Sequence, residues 1–259
     1  MSEKTIKERL KTCLRKWPTA FSLLRRVYHA VRIQYLMELL FGTKVREKEW
    51  ATRHLRESNT ENWIKGYWDS QTHPHRQLLV EKIDAFSPIC SILEIGCNSG
   101  PNLALLAKKF PNAEMVGIDI NPLAVERGKQ WLAKEGILNV RLNVGKADEL
   151  QGCPDDGFDV VFTDAVLIYV GPDKIRKVVR EMLRVARKAL VLVEWNLIDA
   201  RDNARSGLGV YHYGFWTRNY AALLKQFVRE DQLRVTKIPE GVWPVDGWKE
   251  FGYVIEVIM

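Results

Sequence analysis

Cysteine is scarce in this chain: four in 259 residues, Cys13, Cys90, Cys97 and Cys153, with no Cys-x-x-Cys pair among them. That density excludes a disulfide framework, and neither a zinc knuckle nor a redox dithiol has its ligands. Long apolar runs are also missing; nothing approaches the about 18 uninterrupted apolar residues of a membrane-spanning helix. The opening stretch, MSEKTIKERLKTCLRKW, contains acids and no apolar core, so it does not read as a secretory signal. The expected compartment is a reducing cytosol. No internal repeat or low-complexity segment is present. What is there is an ordinary globular composition, 46% apolar and 27% charged, long enough for one well-cored domain with an extension.

The net charge is +7 and unevenly placed: residues 1–56 hold 14 Lys/Arg against 5 Asp/Glu, and residues 57–259 hold 25 against 27. This argues against a basic groove running across the molecule, as in many nucleic-acid enzymes. The expected organisation is a basic amphipathic helical extension over 1–56 and a near-neutral globular domain over 57–259. Pro18 separates a short first helix from a longer one. In TAFSLLRRVYHAVRIQYLMELLF, residues 19–41, Arg25, His29 and Arg32 fall on one narrow face at helical spacing. Leu23, Val27, Ala30, Val31 and Tyr35 fall opposite, and Gly42 is the stop. Two readings stay open. The apolar face packs on the main domain with the arginines in water, or the helix lies on an anionic membrane surface, peripheral to its inner face. A basic arm for RNA is a third.

An aromatic and His-rich region follows, broken by Gly66 and Pro74, with a helix expected over His75–Phe86. After Pro88 a regular alternation begins. Short apolar, β-branched runs predict strands at Ser91–Ile95, Glu114–Ile118, Val140–Val144, Asp159–Thr163 and Ala189–Glu194. Helical patterns lie between them at Asn102–Phe110, Leu123–Gly136 and Pro172–Arg187. Strands and helices alternating at this spacing imply βαβ units, hence a parallel sheet covered on both faces. Leu233–Ile238 and Gly252–Met259 read as an antiparallel pair joined by a Pro/Gly/Trp-rich loop with no helix. The fold class is α/β: a doubly wound, seven-stranded, mostly parallel sheet with an antiparallel last strand, plus the N-terminal helical extension.

The strand SILEI runs directly into GCNSG, and a helix follows. A glycine-rich turn there lets a ligand approach the backbone and meet free helix N–H groups. Nineteen residues after Gly100 the next strand, VGID, ends in Asp119, where an acid would hydrogen-bond a ribose diol. Glu94-x-Gly96-x-x-x-Gly100, then Asp119, then FDVVFTDAVLIYV, resembles the class I S-adenosylmethionine-dependent methyltransferases over Ser91 to Glu194. The terminal strand pair is similar to that family's last two strands. A dinucleotide-binding dehydrogenase fits less well, since its fingerprint needs glycine where Asn98 and Pro101 stand.

The resemblance implies S-adenosylmethionine as cofactor and assigns roles by position. Glu94 would lie near the methionine end. Gly96, Cys97, Asn98 and Gly100 would form the turn against the cofactor. Asp119 would take the ribose hydroxyls, with Ile120 on the adenine. Asp164, at the tip of the fourth strand, would face the transferable methyl and the acceptor. Two departures stand out. Asn98 replaces the usual middle glycine, and Asn tolerates left-handed backbone best among side chains. Gly145-Lys146-Ala147-Asp148 replaces a Gly-Asp-Ala run, moving the carboxylate expected on the adenine amine to Asp148. Cys97 itself reads as a small filler rather than a nucleophile.

Methyl transfer from a sulfonium is a direct displacement, which needs alignment and dryness, and a base only for a weak nucleophile. His212 sits among aromatics in a Tyr-His-Tyr-Gly-Phe-Trp run expected to be a loop, so His212 and Asp164 are the candidate catalytic residues. His73, His75, Arg76, Tyr211 and Arg218 are the candidate substrate contacts. His73-Pro74-His75 lacks a third ligand, so no metal is expected. The Asp/Asn-Pro-Pro-Tyr run of amino-group methyltransferases is absent, since Thr163-Asp164-Ala165-Val166 stands there. The Pro-Cys pair of pyrimidine C5 methyltransferases is absent too, since Cys153-Pro154 is reversed. The expected function is methyl transfer to a small or lipid-linked acceptor, at a hydroxyl. The alternatives are an RNA methyltransferase using the basic arm and a non-catalytic cofactor-binding domain.

Overall fold

The computed structural model describes residues 33–55, 60–198, 207–212 and 214–259. The expected first helix, the face of Arg25, His29 and Arg32, and the stretch 199–206 lie outside the described residues. Residues 33–41 form helix α1, which Gly42 ends at φ 65°, its N–H donating to Glu38 O at 2.8 Å. Helices α2 (Lys44–Ala51), α3 (Thr60–Asp69) and α4 (Pro74–Asp84) follow.

The strands are β1 (Ser91–Ile95), β2 (Glu114–Asp119), β3 (Val140–Val144), β4 (Phe158–Asp164) and β5 (Ala186–Trp195). A hairpin, β6 (Val210–His212) and β7 (Phe215–Thr217), stands apart from them. Strands β8 (Leu233–Lys237) and β9 (Gly252–Ile258) complete a seven-stranded sheet in the order β3-β2-β1-β4-β5-β9-β8. β1 to β5 pair in parallel; β9 runs antiparallel to both β5 and β8.

Helices α5 (Pro101–Lys109), α6 (Pro122–Lys134) and α7 (Ile175–Val185) are the crossovers. Their starts follow from sequence. Pro101 and Pro122 occupy the first helical turn, where a missing N–H costs nothing, and Asn121 caps α6 by accepting from Ala124 N at 3.0 Å. Neighbouring strand residues feed opposite layers: Ile92, Val160 and Phe162 pack with α4 and α5, while Leu93, Val161 and Leu190 pack with α7. That two-sided burial explains the continuous apolar runs of the central strands.

Three local expectations are corrected. The segment around His212 is a hairpin rather than a loop, turning at Gly214, φ 91°. The Pro/Gly/Trp-rich connection holds a helix, α9 (Asp246–Phe251), because Trp248 and Phe251, three apart, both bury one side; α8 is Tyr220–Leu224. The last crossover helix stops at Val185, and Ala186 and Arg187 already belong to β5. The chain leaves β1 for β2 and β3 on one side and returns to β4 on the other. The crevice at the strands' C-terminal ends therefore opens at β1 and β4, the place where such sheets bind ligands.

Candidate cofactor and acceptor cleft

A cleft partly open to solvent lies at that switch point. Its floor is the turn after β1. Gly96, Asn98 and Gly100 all take positive φ, 75°, 49° and 81°. A Cβ on Gly96 would meet Val166 Cγ2 at 2.3 Å, so glycine is required there by both backbone and space. The second wall is the tip of β2. Asp119 accepts from Asn98 N and Asn121 N, each at 2.7 Å, and Ile120 lies beside it. Burial pushes the Asp119 carboxyl up, against the pull of the backbone donors.

Asp148 also lines the cleft, but its carboxylate takes Lys174 at 3.1 Å and Lys177 at 3.3 Å. Burial pushes it up, yet those two ammonium groups hold it below the usual range. Cys97 and Gly100 stand off the cleft wall. The Cys97 thiol is buried, which pushes it far above its ordinary range, and it faces the backbone of Gly117, so it is inert packing.

The far end is a buried polar cluster behind β1 and β4. Asn102 Nδ2 donates to Glu94 Oε1 at 2.8 Å and to Asp164 Oδ2 at 3.1 Å. Arg76 Nη1 donates to Asn102 Oδ1 at 2.6 Å, and its other nitrogens go to Ser70. His75 Nε2 stands 3.2 Å from Asp164 Oδ2. Two carboxylates therefore share one amide, and their environments push them apart. Burial raises Glu94 to about 8, while in Asp164 the same burial is outweighed by His75 and Arg76, which hold it low. Glu94 Oε2 and Asp164 Oδ1 are buried with no protein partner.

The expected substrate contacts are redistributed. His73, His75 and Arg76 sit behind Asp164, with Trp243 stacked on the His75 ring at 3.9 Å, and none of the three lines the cleft. Arg218 is fully buried, and its guanidinium donates to the carbonyls of Leu208, Leu167 and Val170, so it braces loops instead of meeting a substrate. Tyr211 is bound through its hydroxyl to Glu38 and Arg46. His212, on the hairpin, has its ring 5.4 Å from Phe251 and outside the cleft lining. Only Asp164 of the two candidate catalytic groups reaches the cleft.

Other residues complete the site that sequence reasoning missed. α2 roofs the cleft with Arg46, Glu47 and Trp50. It is strapped down by Thr43 Oγ1 to Asp173 at 2.6 Å, by Asn121 Nδ2 to Trp50 O at 2.8 Å, and by Glu47 to Lys174. Trp50, Tyr67 and Tyr169 form an aromatic chamber beside Asp164, with Trp50 and Tyr169 edge-on at 4.9 Å. Ala165, at φ 59°, is a strained residue in the loop after β4. That loop is held by buried Glu194, which accepts from the backbone of Val166, Leu167 and Ile168 and from Thr163 Oγ1. A lone acid ending an apolar strand, LVLVEW, was the available signal for Glu194.

The arrangement fits S-adenosylmethionine. Asp119 suits a ribose diol, and the Gly96 turn leaves room for close backbone approach. Residues 92–189 match the family model described as a methyltransferase domain. The sterol 24-C-methyltransferase of Aspergillus fumigatus is 33% identical over 116 residues, 43% of this chain and 29% of that protein. A probable chloroplastic tocopherol O-methyltransferase of Oryza sativa subsp. japonica is 35% identical over 108 residues, 40% of this chain and 29% of that protein. The chain thus spans under a third of the length of these two relatives. Among solved structures, a geranyl diphosphate methyltransferase in complex with S-adenosylmethionine aligns with TM-score 0.54 at 15% identity, covering 78% of this chain and 91% of that one. The geranyl diphosphate C-methyltransferase of Streptomyces coelicolor aligns with TM-score 0.52 at 12% identity, covering 70% and 77%. At such identities the structural likeness carries the fold. With the domain match and the cleft together, residues 92–189 read as a methyltransferase domain whose cleft suits S-adenosylmethionine.

Proposed function

We propose that the chain transfers a methyl group to a hydroxyl of an apolar acceptor, small or lipid-linked, met at the cytoplasmic face of a membrane. One observation carries this reading: the aromatic side chains of Trp50, Tyr67 and Tyr169 line the same cleft as the Asp164 carboxylate and Asp119. The relatives named for a sterol and for tocopherol support an apolar lipid acceptor.

The cofactor supplies a sulfonium-bound methyl, an electrophile that needs no further activation. The chain's task is to align and to dry the site. Asp119 and the turn at Gly96 fix the nucleoside end with Asp148 in the same wall, and Glu94 and Asn102 hold Asp164 from behind. α2 covers the cleft and excludes water. Asp164, kept ionised, accepts the hydrogen bond of the acceptor hydroxyl at its unpartnered Oδ1. The proton released on transfer passes to the Asp164–His75 pair, whose oxygen and nitrogen lie 3.2 Å apart. Arg76 and Asn102 hold that pair in place.

The test is transfer of labelled methyl into an extract of membrane lipids, with Asp164→Asn alongside. Label in a hydroxyl-derived ether, with a loss of about 100-fold or more in the variant, supports the reading. Label in protein or RNA, or an unaffected variant, sinks it.

A further inference from the structure

α1 is built inside out. Its one carboxylate faces the protein while its large apolar side chains face water. Glu38 is 4% exposed, yet Ile33, Leu36, Leu39, Leu40 and Phe41 are 59%, 46%, 62%, 71% and 57% exposed. In a helix of a water-facing domain the pattern is the reverse. The inward face is fully committed. Glu38 accepts from Arg46 Nε at 2.6 Å, Trp216 Nε1 at 2.7 Å and Tyr211 OH at 3.0 Å. Rotating the helix to hide its leucines would break all three bonds and leave the buried Trp216 indole without its acceptor. The outward apolar face is therefore a fixed feature, of the contiguous kind that marks an interaction surface.

Charge says what covers it. Residues 1–32, immediately upstream, hold nine Lys/Arg against two Glu, a net +7 that equals the net charge of the whole chain. Residues 33–259 are therefore neutral. An apolar patch next to a strongly cationic stretch matches an anionic bilayer, where apolar insertion and headgroup attraction act together. The Glu38 tie also fixes where the surface lies relative to the cleft, because Arg46 belongs both to that tie and to the cleft lining.

We propose that the outward face of α1 inserts into an anionic lipid monolayer and so sets the cleft mouth against the bilayer. This deepens, and rests on, the lipid-acceptor reading above; the surface itself is argued without it.

The test uses the full chain and vesicles of phosphatidylcholine and phosphatidylglycerol in equal parts, with the triple variant Leu36→Gln, Leu39→Gln, Leu40→Gln. The expected result is vesicle binding by wild type that drops by about tenfold or more in the variant, since each leucine contributes over a factor of ten when fully buried. S-adenosylmethionine binding, measured in the same preparations by calorimetry, stays equal and shows that the variant is folded. Equal vesicle binding by both proteins overturns the proposal, as does no binding by wild type. So does a wild-type dimer that the variant dissociates while vesicle binding is unmoved, which would make a second copy the occupant. Vesicle binding with no S-adenosylmethionine binding would sink the methyl-transfer reading and leave the surface standing.

Discussion

Asn98 donates its backbone N–H to Oδ2 of Asp119 at 2.7 Å, tying the turn after β1 to the tip of β2 under the cleft. The bond requires left-handed backbone at Asn98, φ 49°, and the residue's own Oδ1 steadies it by accepting from Ser99 N at 2.8 Å. Asn98→Gly is expected to leave stability within about 1 kcal/mol, because glycine adopts that φ freely but loses the side-chain bond. Asn98→Val is expected to lose about 1–3 kcal/mol, because a β-branched residue resists it. Denaturant midpoints of the two variants check this, and an indifferent valine would contradict it.

Stability of the cofactor-free protein is expected to fall as pH rises between about 4.5 and about 8. Those are the ordinary value of Glu94 and the value to which burial pushes it. In that window the folded chain keeps a proton that the unfolded chain has released, so each rise in pH favours unfolding. The share of Glu94 in the slope is at most about 1.4 kcal/mol per pH unit. The contribution is whole below the ordinary value and lost as pH climbs through the folded one. Glu94→Gln is expected to flatten the slope, leaving the weaker one from Glu194, raised by burial to about 7. Urea unfolding across the window measures both.

Removing the Glu38 carboxylate leaves the Trp216 indole without its acceptor, while Arg46 keeps Glu49 at 2.9 Å. Glu38→Ala is expected to cost about 1–3 kcal/mol, the range for a buried polar group left unsatisfied. Glu38→Gln keeps an acceptor and is expected to lose less. Chemical denaturation followed by tryptophan emission reads both, and a neutral alanine would show that the tie does not hold α1.

Arg218→Lys is expected to lower stability by about 2–4 kcal/mol, since one ammonium cannot serve the three carbonyls that the guanidinium reaches. Cofactor affinity is expected to stay within a factor of about two. A folded, stable variant with weakened acceptor use alone would restore Arg218 as a substrate contact.

Much of this was legible in the sequence, for physical reasons. Ile92, Leu93, Val160 and Val161 announce buried parallel strands because both of their faces are covered. Gly96, Asn98 and Gly100 announce a tight turn because few residues accept its φ values. Asp119 stands out because an acid at a strand tip needs a partner. The acceptor end was not legible. Trp50, Arg46 and Glu47 reach the cleft from helix α2, far away in sequence, and only the folded strap at Asp173 and Lys174 places them. Arg218 and His212 carry functional chemistry, yet nothing local distinguishes an arginine spent on three carbonyls from one aimed at a ligand. The inward turn of Glu38 was equally hidden, because helical spacing gives relative faces but not which one meets the protein.

The most direct measurement is calorimetric titration of the intact protein with S-adenosylmethionine, beside Asp119→Asn. A micromolar Kd for wild type, weakened about tenfold or more in the variant, is the expected result, since the variant loses the charge that meets the ribose diol. A well-folded wild type that fails to bind, or a variant that binds as tightly, would contradict the assignment of this cleft to the cofactor.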